Sequence, residues 1–186
     1  MSPSTSDARV APLPGVPVGA HLASLRIRTS TGRRLLGPVS MDIPAAALTV
    51  IVGATPAGRW SLACAITGTL PTPRLSTLGE LEVGGLTSPP LIHSLTKLAQ
   101  SWRVRDTSGA VNRRLAALTW GATHHGRLIV LCPGLDGLTP DERYDVLNAA
   151  RAIVDTGATV VVTAWSVTAA ERALADATID LDAQMW

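Results

Sequence analysis

A glycine-framed loop at residues 53–61 narrows the possible folds of this chain more than any other segment. The loop reads Gly-Ala-Thr-Pro-Ala-Gly-Arg-Trp-Ser, and its two glycines have the spacing of the phosphate-binding pattern G-x-x-x-x-G-K-[ST]. The apolar run at residues 47–52 predicts a buried strand that ends at the loop. Since a strand, a tight loop and a helix form the context that the pattern requires, we expect an α/β fold.

The side chains of the loop depart from the phosphate-binding pattern. Arg59 replaces the lysine, and the sequence leaves open whether its guanidinium binds phosphate or has no ligand. Trp60 stands where a hydroxyl would bind Mg²⁺, and its ring offers no oxygen to a hard cation. Pro56 removes one N–H donor from the backbone. ATP is left open as a ligand, Mg²⁺ is not expected, and the candidate cofactor-binding residues of the loop are Gly53, Gly58, Arg59 and Ser61.

Length and composition indicate one globular domain without a nucleic-acid partner. The 186 residues are 46% hydrophobic and 16% charged, and a net charge of +2 is too small to indicate nucleic-acid binding. The apolar stretches are far shorter than the roughly 20 residues of a membrane span. Residues 1–7 lack the segments of a secretory signal, so we expect a cytoplasmic protein. Residues 1–19 are predicted to be a flexible tail, and residues 20–186 a single domain.

Hydrophobic patterning predicts strands that alternate with helices. Two N-terminal segments alternate apolar and polar residues on either side of a turn, which is typical of antiparallel strands. Later short apolar runs are separated by helical segments, which indicates a mainly parallel sheet with flanking helices. The predicted strands are 22–29, 36–43, 48–52, 78–85, 128–131, 159–163 and 178–182, and the predicted helices are 59–69, 91–105, 110–120, 141–156 and 168–175.

The order of these elements resembles the nucleotide-binding domain of ABC transporters over residues 22–182. In that family two strands precede the phosphate loop, and a glycine-flanked hairpin, a signature helix, a Walker B strand, a D-loop and a switch-histidine strand follow it. The hairpin here lies between Gly79 and Gly84. The resemblance implies a P-loop NTPase-like fold. The segment between Gly58 and Ser108 is shorter than in the family, so the helical subdomain is expected to be reduced.

Several functional positions of the family carry other residues in this chain. The signature motif corresponds to residues 107–111, where Ser108 and Gly109 match and are further candidates for nucleotide binding. The Walker B aspartate corresponds to Cys132 and the catalytic glutamate to Pro133, and neither accepts a proton at neutral pH. The switch histidine corresponds to Ala164. No catalytic residue is therefore predicted.

Weaker features of the same comparison leave smaller questions open. Asp136 is interpreted as a turn residue, with a displaced catalytic carboxylate as the alternative. Gln100 is a weak counterpart of the family's Q-loop glutamine, and residues 28–32 lack the aromatic ring on which the family stacks adenine. Cys64 and Cys132 are interpreted as buried free thiols. The histidines have no metal-ligand spacing, so no metal site is predicted; the candidate interface anchors are Trp102, Trp120, Trp165 and Trp186.

These substitutions lead to one favoured function and two alternatives. The favoured hypothesis is a degenerate ABC-type subunit, a pseudo-ATPase that acts as a structural or regulatory partner of a second ATPase-like subunit or of a membrane permease. In the second hypothesis, Arg59 and residues of a partner complete a composite ATP site that energises transport through separate permease subunits. The third is a soluble enzyme or binding module on a P-loop-like fold. The first two place the protein at the inner face of the cell membrane through its partner.

Overall fold

The computed structural model describes residues 18–29, 31–53, 55–67, 75–82, 109–123 and 128–184. Within these ranges strands and helices alternate after an initial pair of strands, as the sequence predicts. In chain order the elements are β1 Val18–Thr29, β2 Arg34–Pro44, β3 Leu48–Val52, α1 Pro56–Ile66, β4 Leu75–Glu82, α2 Ala110–Thr123, β5 Leu128–Leu131, α3 Pro140–Val154, β6 Thr159–Ala164, α4 Ala169–Leu174, β7 Ala177–Asp180 and α5 Leu181–Gln184.

Four strands form a parallel sheet in the order β5-β6-β3-β7. Every residue of β3, β5 and β6 is buried, and the valines and isoleucines that dominate them suit a sheet covered on both faces. The strands β3 and β6 run parallel, with Leu48 paired with Val160 and Val52 paired with Ala164. Because the carboxyl ends of parallel strands meet at one edge, the loops after β3, β5 and β6 converge there.

The strands β2, β1 and β4 form a separate antiparallel sheet in that order. On β1, Leu25 and Ile27 are buried whereas Arg26 and Arg28 are exposed, which follows from the two-residue period of a strand. The apolar face joins the same hydrophobic core as α1 and the parallel sheet. Helix α1 contacts this antiparallel sheet, so the sheet packs against the helix of the strand-loop-helix unit.

Side-chain caps define where the helices begin. Thr55 caps α1, and its hydroxyl accepts the Gly58 N–H at 3.1 Å. Thr139 and Glu142 form a reciprocal capping box at the start of α3, with Pro140 at the first helical position. Thr168 and Glu171 form a second capping box that starts α4. The N-cap predicted at Thr139 is confirmed.

The predicted α/β class, a mainly parallel sheet with flanking helices and N-terminal antiparallel strands, is confirmed. Some boundaries were wrong. The helix expected from residue 59 begins at Pro56, because the cap is Thr55. The strand expected to reach residue 182 ends at Asp180, because the Asp180 carboxylate accepts the N–H groups of Asp182 and Ala183 and starts a helical turn.

Several predictions lie outside the described residues. These are the tail up to residue 17, the helix at 91–105, Ser108, Gln100 and two of the tryptophans. The expected reduction of the helical subdomain and the boundary between tail and domain therefore stay predictions. No helix within the ranges that the structure describes is long and apolar enough to cross a bilayer.

Candidate functional site

The glycine-framed loop lies at the carboxyl edge of the parallel sheet, between β3 and α1. Two other segments reach the same edge: residues 132–139 after β5 and residues 165–168 after β6. The Gly53 N–H bonds to the Trp165 carbonyl, and the Leu135 N–H bonds to the Thr163 carbonyl. These bonds hold the three segments together and form the candidate site.

Two backbone N–H groups of the loop donate hydrogen bonds to acceptors within the loop itself. The Gly58 N–H bonds to the Thr55 hydroxyl, and the Arg59 N–H bonds to the Thr55 carbonyl at 3.0 Å. Pro56 has no N–H to donate. A phosphate-binding loop needs several N–H groups that point at the ligand, and at these positions the chain uses its donors to start α1.

Arg59 is buried, and its guanidinium folds back into the loop. Only 3% of its side chain is exposed. Its Nη1 donates to the Gly53 carbonyl at 3.0 Å, and its Nη2 donates to Asp136 Oδ2 at 2.9 Å. The Asp136 contact is a charge-assisted hydrogen bond in a poorly hydrated setting, which is the strong class of such bonds. Arg59 is thus neither a surface arginine nor an extended phosphate ligand in this structure.

Asp136 connects all three segments of the site. Its Oδ1 accepts the Trp165 N–H at 2.7 Å, while its Oδ2 binds Arg59. Its backbone carbonyl accepts from Arg114 Nη2 at 2.7 Å, and Arg114 Nε also donates to the Pro133 carbonyl. Burial lowers the pKa of Arg114, although the neighbouring Asp136 opposes this shift. The turn after β5 is therefore fixed from α1, α2 and β6 together.

The Arg59 guanidinium lies over the ring of Trp165. The Arg59 guanidinium carbon lies 5.5 Å from the centroid of the Trp165 ring, within the range of a cation–π contact. Trp165 is itself 63% exposed. Among the large hydrophobic residues of the described ranges, it is the exposed one. A ring in this position shields the ion pair from water and strengthens it.

A second carboxylate lies against the first glycine of the loop. Gly53 has a φ of +81°, and a β-carbon built on it would lie 2.7 Å from Asp182 Oδ2. Glycine is needed here both for the left-handed backbone and for the close approach of Asp182. Asp136 and Asp182 therefore place two carboxylates at a loop whose sequence pattern predicts a phosphate.

The remaining polar groups at the site are engaged with the backbone. The Ser61 hydroxyl is buried and donates to the Ala57 carbonyl at 2.7 Å within α1. Burial raises the pKa of Cys132 to about 11, so this thiol is protonated and inert at neutral pH. Thr163 accepts the Gly134 N–H and donates to the Leu131 carbonyl, which ties β6 to the turn after β5.

The structure brings together some of the predicted site residues. Gly53, Gly58, Arg59 and Ser61 lie in one loop and helix start, and Cys132 and Ala164 lie at the ends of adjacent strands. Gly109 is exposed one residue before α2, and Ser108 lies outside the described residues. Sequence reasoning singled out Asp136 as a turn residue and Trp165 as an interface anchor but missed the contact of each with Arg59, and it did not single out Arg114. The available signal was an acid and a ring that each follow a buried parallel strand, since such positions share one edge of the sheet.

Comparisons with known proteins agree with this architecture. No family model matches the chain, and no curated protein matches it. Among solved structures it is similar to CbiO1 of Clostridium perfringens, described as part of the ABC transporter complex CbiONQ, with a TM-score of 0.57, 13% identity and coverage of 89% of this chain and 85% of that chain. It is also similar to an ABC transporter ATP-binding protein of Pyrococcus furiosus, with a TM-score of 0.61, 13% identity and coverage of 90% and 99%. The chain therefore has the fold of the ATP-binding subunits of ABC transporters.

Proposed function

We propose that this protein is an ABC-type ATP-binding-cassette subunit without effective ATP hydrolysis, which acts as the structural or regulatory half of an ABC-transporter-like complex. The observation that carries the proposal is the buried ion pair between Arg59 and Asp136. A phosphate loop requires a cation that is available to the nucleotide. Here that position carries a guanidinium already neutralised by a carboxylate of the same chain.

The electrostatics of the loop support the same proposal. A phosphate that entered the loop would meet the Asp136 and Asp182 carboxylates. Two like charges about 4 Å apart repel by about 4 kcal/mol at an effective dielectric constant of about 20. To bind there, the nucleotide would also have to displace the Asp136 carboxylate from Arg59.

The positions at which the family carries its hydrolytic residues hold other residues at this site. The family positions for the Walker B aspartate and the catalytic glutamate carry Cys132 and Pro133, and the raised pKa of Cys132 keeps it neutral. The Ser61 hydroxyl is bound to the Ala57 carbonyl, and Trp60 has no oxygen. These residues do not fit a magnesium nucleotide.

The proposed partner role is supported by the fold that this chain shares with ABC transporter subunits. CbiO1 is part of an ABC transporter complex. By analogy of fold, we propose that this chain pairs with a second ATPase-like subunit or a membrane permease, and that it works in the cytoplasm at the inner face of the membrane through that partner. Its contribution would be a folded surface that does not depend on nucleotide.

Calorimetry with ATP and Mg²⁺ tests the proposal directly. We expect no binding at about 1 mM ATP, which corresponds to a binding free energy weaker than about −4 kcal/mol. The wild-type protein is compared with Arg59→Ala and with Arg151→Ala, a control whose arginine pairs with Asp176 away from the loop. Binding by the wild type and by Arg151→Ala that Arg59→Ala abolishes would contradict the proposal.

One feature favours the composite-site alternative. Gly53 keeps the positive φ and Gly58 stays buried at the start of α1, so the glycine frame of a phosphate loop is retained. In that case a partner would have to supply the groups that release Arg59 from Asp136. Arg59-dependent ATP binding that arises only when a candidate partner subunit is added would favour this alternative over the first.

A further inference from the structure

A cluster of arginines lies at the β1–β2 hairpin end of the antiparallel sheet. Its members are Arg26, Arg28, Arg33 and Arg34, which lie at the end of β1, in the turn and at the start of β2. All four are exposed. We call this set the arginine patch.

The arginines of the patch are placed directly against one another. Arg28 and Arg34 are cross-strand partners in the β1–β2 register. Directly opposite side chains in an antiparallel pair have β-carbons about 5 Å apart, and like charges in this position are destabilising. The turn holds them there, because the Thr29 N–H bonds to the Arg33 carbonyl and the Arg33 N–H bonds to the Thr29 hydroxyl.

Among the described residues, no carboxylate forms an ion pair with an arginine of the patch. At the register positions of β4 that face this end stand Leu75, Ser76, Thr77 and Leu78. The acids Glu80 and Glu82 are registered against Ala23 and His21 at the opposite end of the sheet. Positive charge is therefore concentrated at the hairpin end, and an anionic partner would remove its repulsion.

We propose that the arginine patch is a docking surface for the anionic headgroups of a lipid bilayer. Guanidinium groups bind phosphate in a bidentate way, and a row of them on a sheet and hairpin matches a plane of phosphates. Residues 18–44 contain no Phe, Trp or Tyr on which nucleobases could stack, which disfavours RNA. Among the side chains whose burial the structure describes, the exposed large hydrophobic one is Trp165, which lies after β6, so none of them gives the patch the apolar centre of a protein interface.

Vesicle sedimentation of the full chain tests this inference, which does not rest on the proposed function. We expect binding to vesicles of phosphatidylcholine mixed with phosphatidylglycerol, no binding to phosphatidylcholine alone, and loss of binding at about 1 M salt, where the screening length is about 3 Å. Each basic residue near an anionic surface contributes about fivefold in affinity, so Arg28→Gln/Arg34→Gln should weaken binding about 25-fold. The control Arg172→Gln removes one charge, half of what the patch variant removes, from an exposed position on α4 and should change the affinity less than twofold.

A second measurement keeps the test decisive. Thermal melting of Arg28→Gln/Arg34→Gln should show a midpoint no lower than that of the wild type, because the substitution removes a like-charge pair. Equal binding to neutral and anionic vesicles, an equal loss of affinity per removed charge in the patch variant and in the Arg172→Gln control, or tighter binding of single-stranded RNA than of anionic vesicles would each overturn the proposal.

Discussion

Removing Asp136 should destabilise the fold more than removing the charge of Arg59, because the two partners of the ion pair differ in burial. The Arg59 side chain is 3% exposed and the Asp136 side chain is 29% exposed. Asp136→Ala leaves a buried guanidinium without its carboxylate, and loss of one partner from a buried pair costs about 3–5 kcal/mol. Since water reaches the Asp136 side chain, we expect the free energy of unfolding to fall by about 3 kcal/mol, at the lower end of that range.

The reverse substitution should cost much less. Arg59→Met removes the charge but keeps most of the buried volume, and the released Asp136 carboxylate is hydrated where it already meets solvent. We expect about 1 kcal/mol, the usual cost of a near volume-conserving change. The double variant should lose less than the sum of the two, because an apolar replacement of a buried pair is often close to neutral.

Urea denaturation followed by circular dichroism measures these free energies of unfolding. Arg151→Met is the matched control, since Arg151 pairs with Asp176 at 34% and 38% side-chain exposure and such surface pairs contribute about 0–1 kcal/mol. Equal losses for Asp136→Ala and Arg59→Met, or a larger loss for Arg59→Met, would refute the reasoning from burial.

Further predictions concern the surroundings of the site and the sheet. Gly53→Ala should cost about 2 kcal/mol in melting experiments, because alanine would be strained at φ +81° and would meet Asp182; an unchanged midpoint would contradict this. Thr163→Val should cost about 1–3 kcal/mol through the orphaned Gly134 N–H, and a neutral result would speak against that bond. Burial raises the pKa of Asp176, but bonds from Arg151 and from the Leu48 N–H outweigh it and hold this pKa below its ordinary value. The stability that Asp176 contributes is therefore complete above about pH 4 and is lost as the pH falls through the lower folded-state value, so Asp176→Asn should flatten the acid limb of the stability curve. Cys132, which is only partly buried and not fully buried as predicted, has its pKa raised to about 11; it should react with iodoacetamide slowly at neutral pH and faster as the pH approaches that value, and rapid labelling at neutral pH would contradict the raised pKa.

Local patterns in the sequence predicted most of the described fold. Residues 48–52 and 159–163 read as buried strands because each is a short run of apolar and β-branched residues, and both lie in the parallel sheet. The cap at Thr139 was recognisable because a cap is a local hydrogen-bond arrangement. The pairing of β1 with β4 could not be predicted in the same way, since register between distant strands depends on tertiary packing.

The sequence predicted the loop of the candidate site but not the partner that its arginine binds. The glycine frame and the replaced lysine are local features, so they could be read directly. The partner of Arg59 could not, because Asp136 is 77 residues away and reaches Arg59 only through the order of the strands. Asp136 was interpreted as a turn residue for that reason. Because Asp136 binds Arg59, we interpret the loop as one whose cation is neutralised by a carboxylate of the same chain, and not as an altered ligand site.

Phosphate release from ATP by the purified wild-type protein tests the central claim most directly. We predict that the rate in the presence of Mg²⁺ equals that of Arg59→Ala and of a blank without protein, because Cys132 and Pro133 stand at the family positions of the Walker B aspartate and the catalytic glutamate and neither accepts a proton at neutral pH. A turnover above the blank that Arg59→Ala abolishes and Arg151→Ala preserves would contradict the claim that this subunit has no effective hydrolysis.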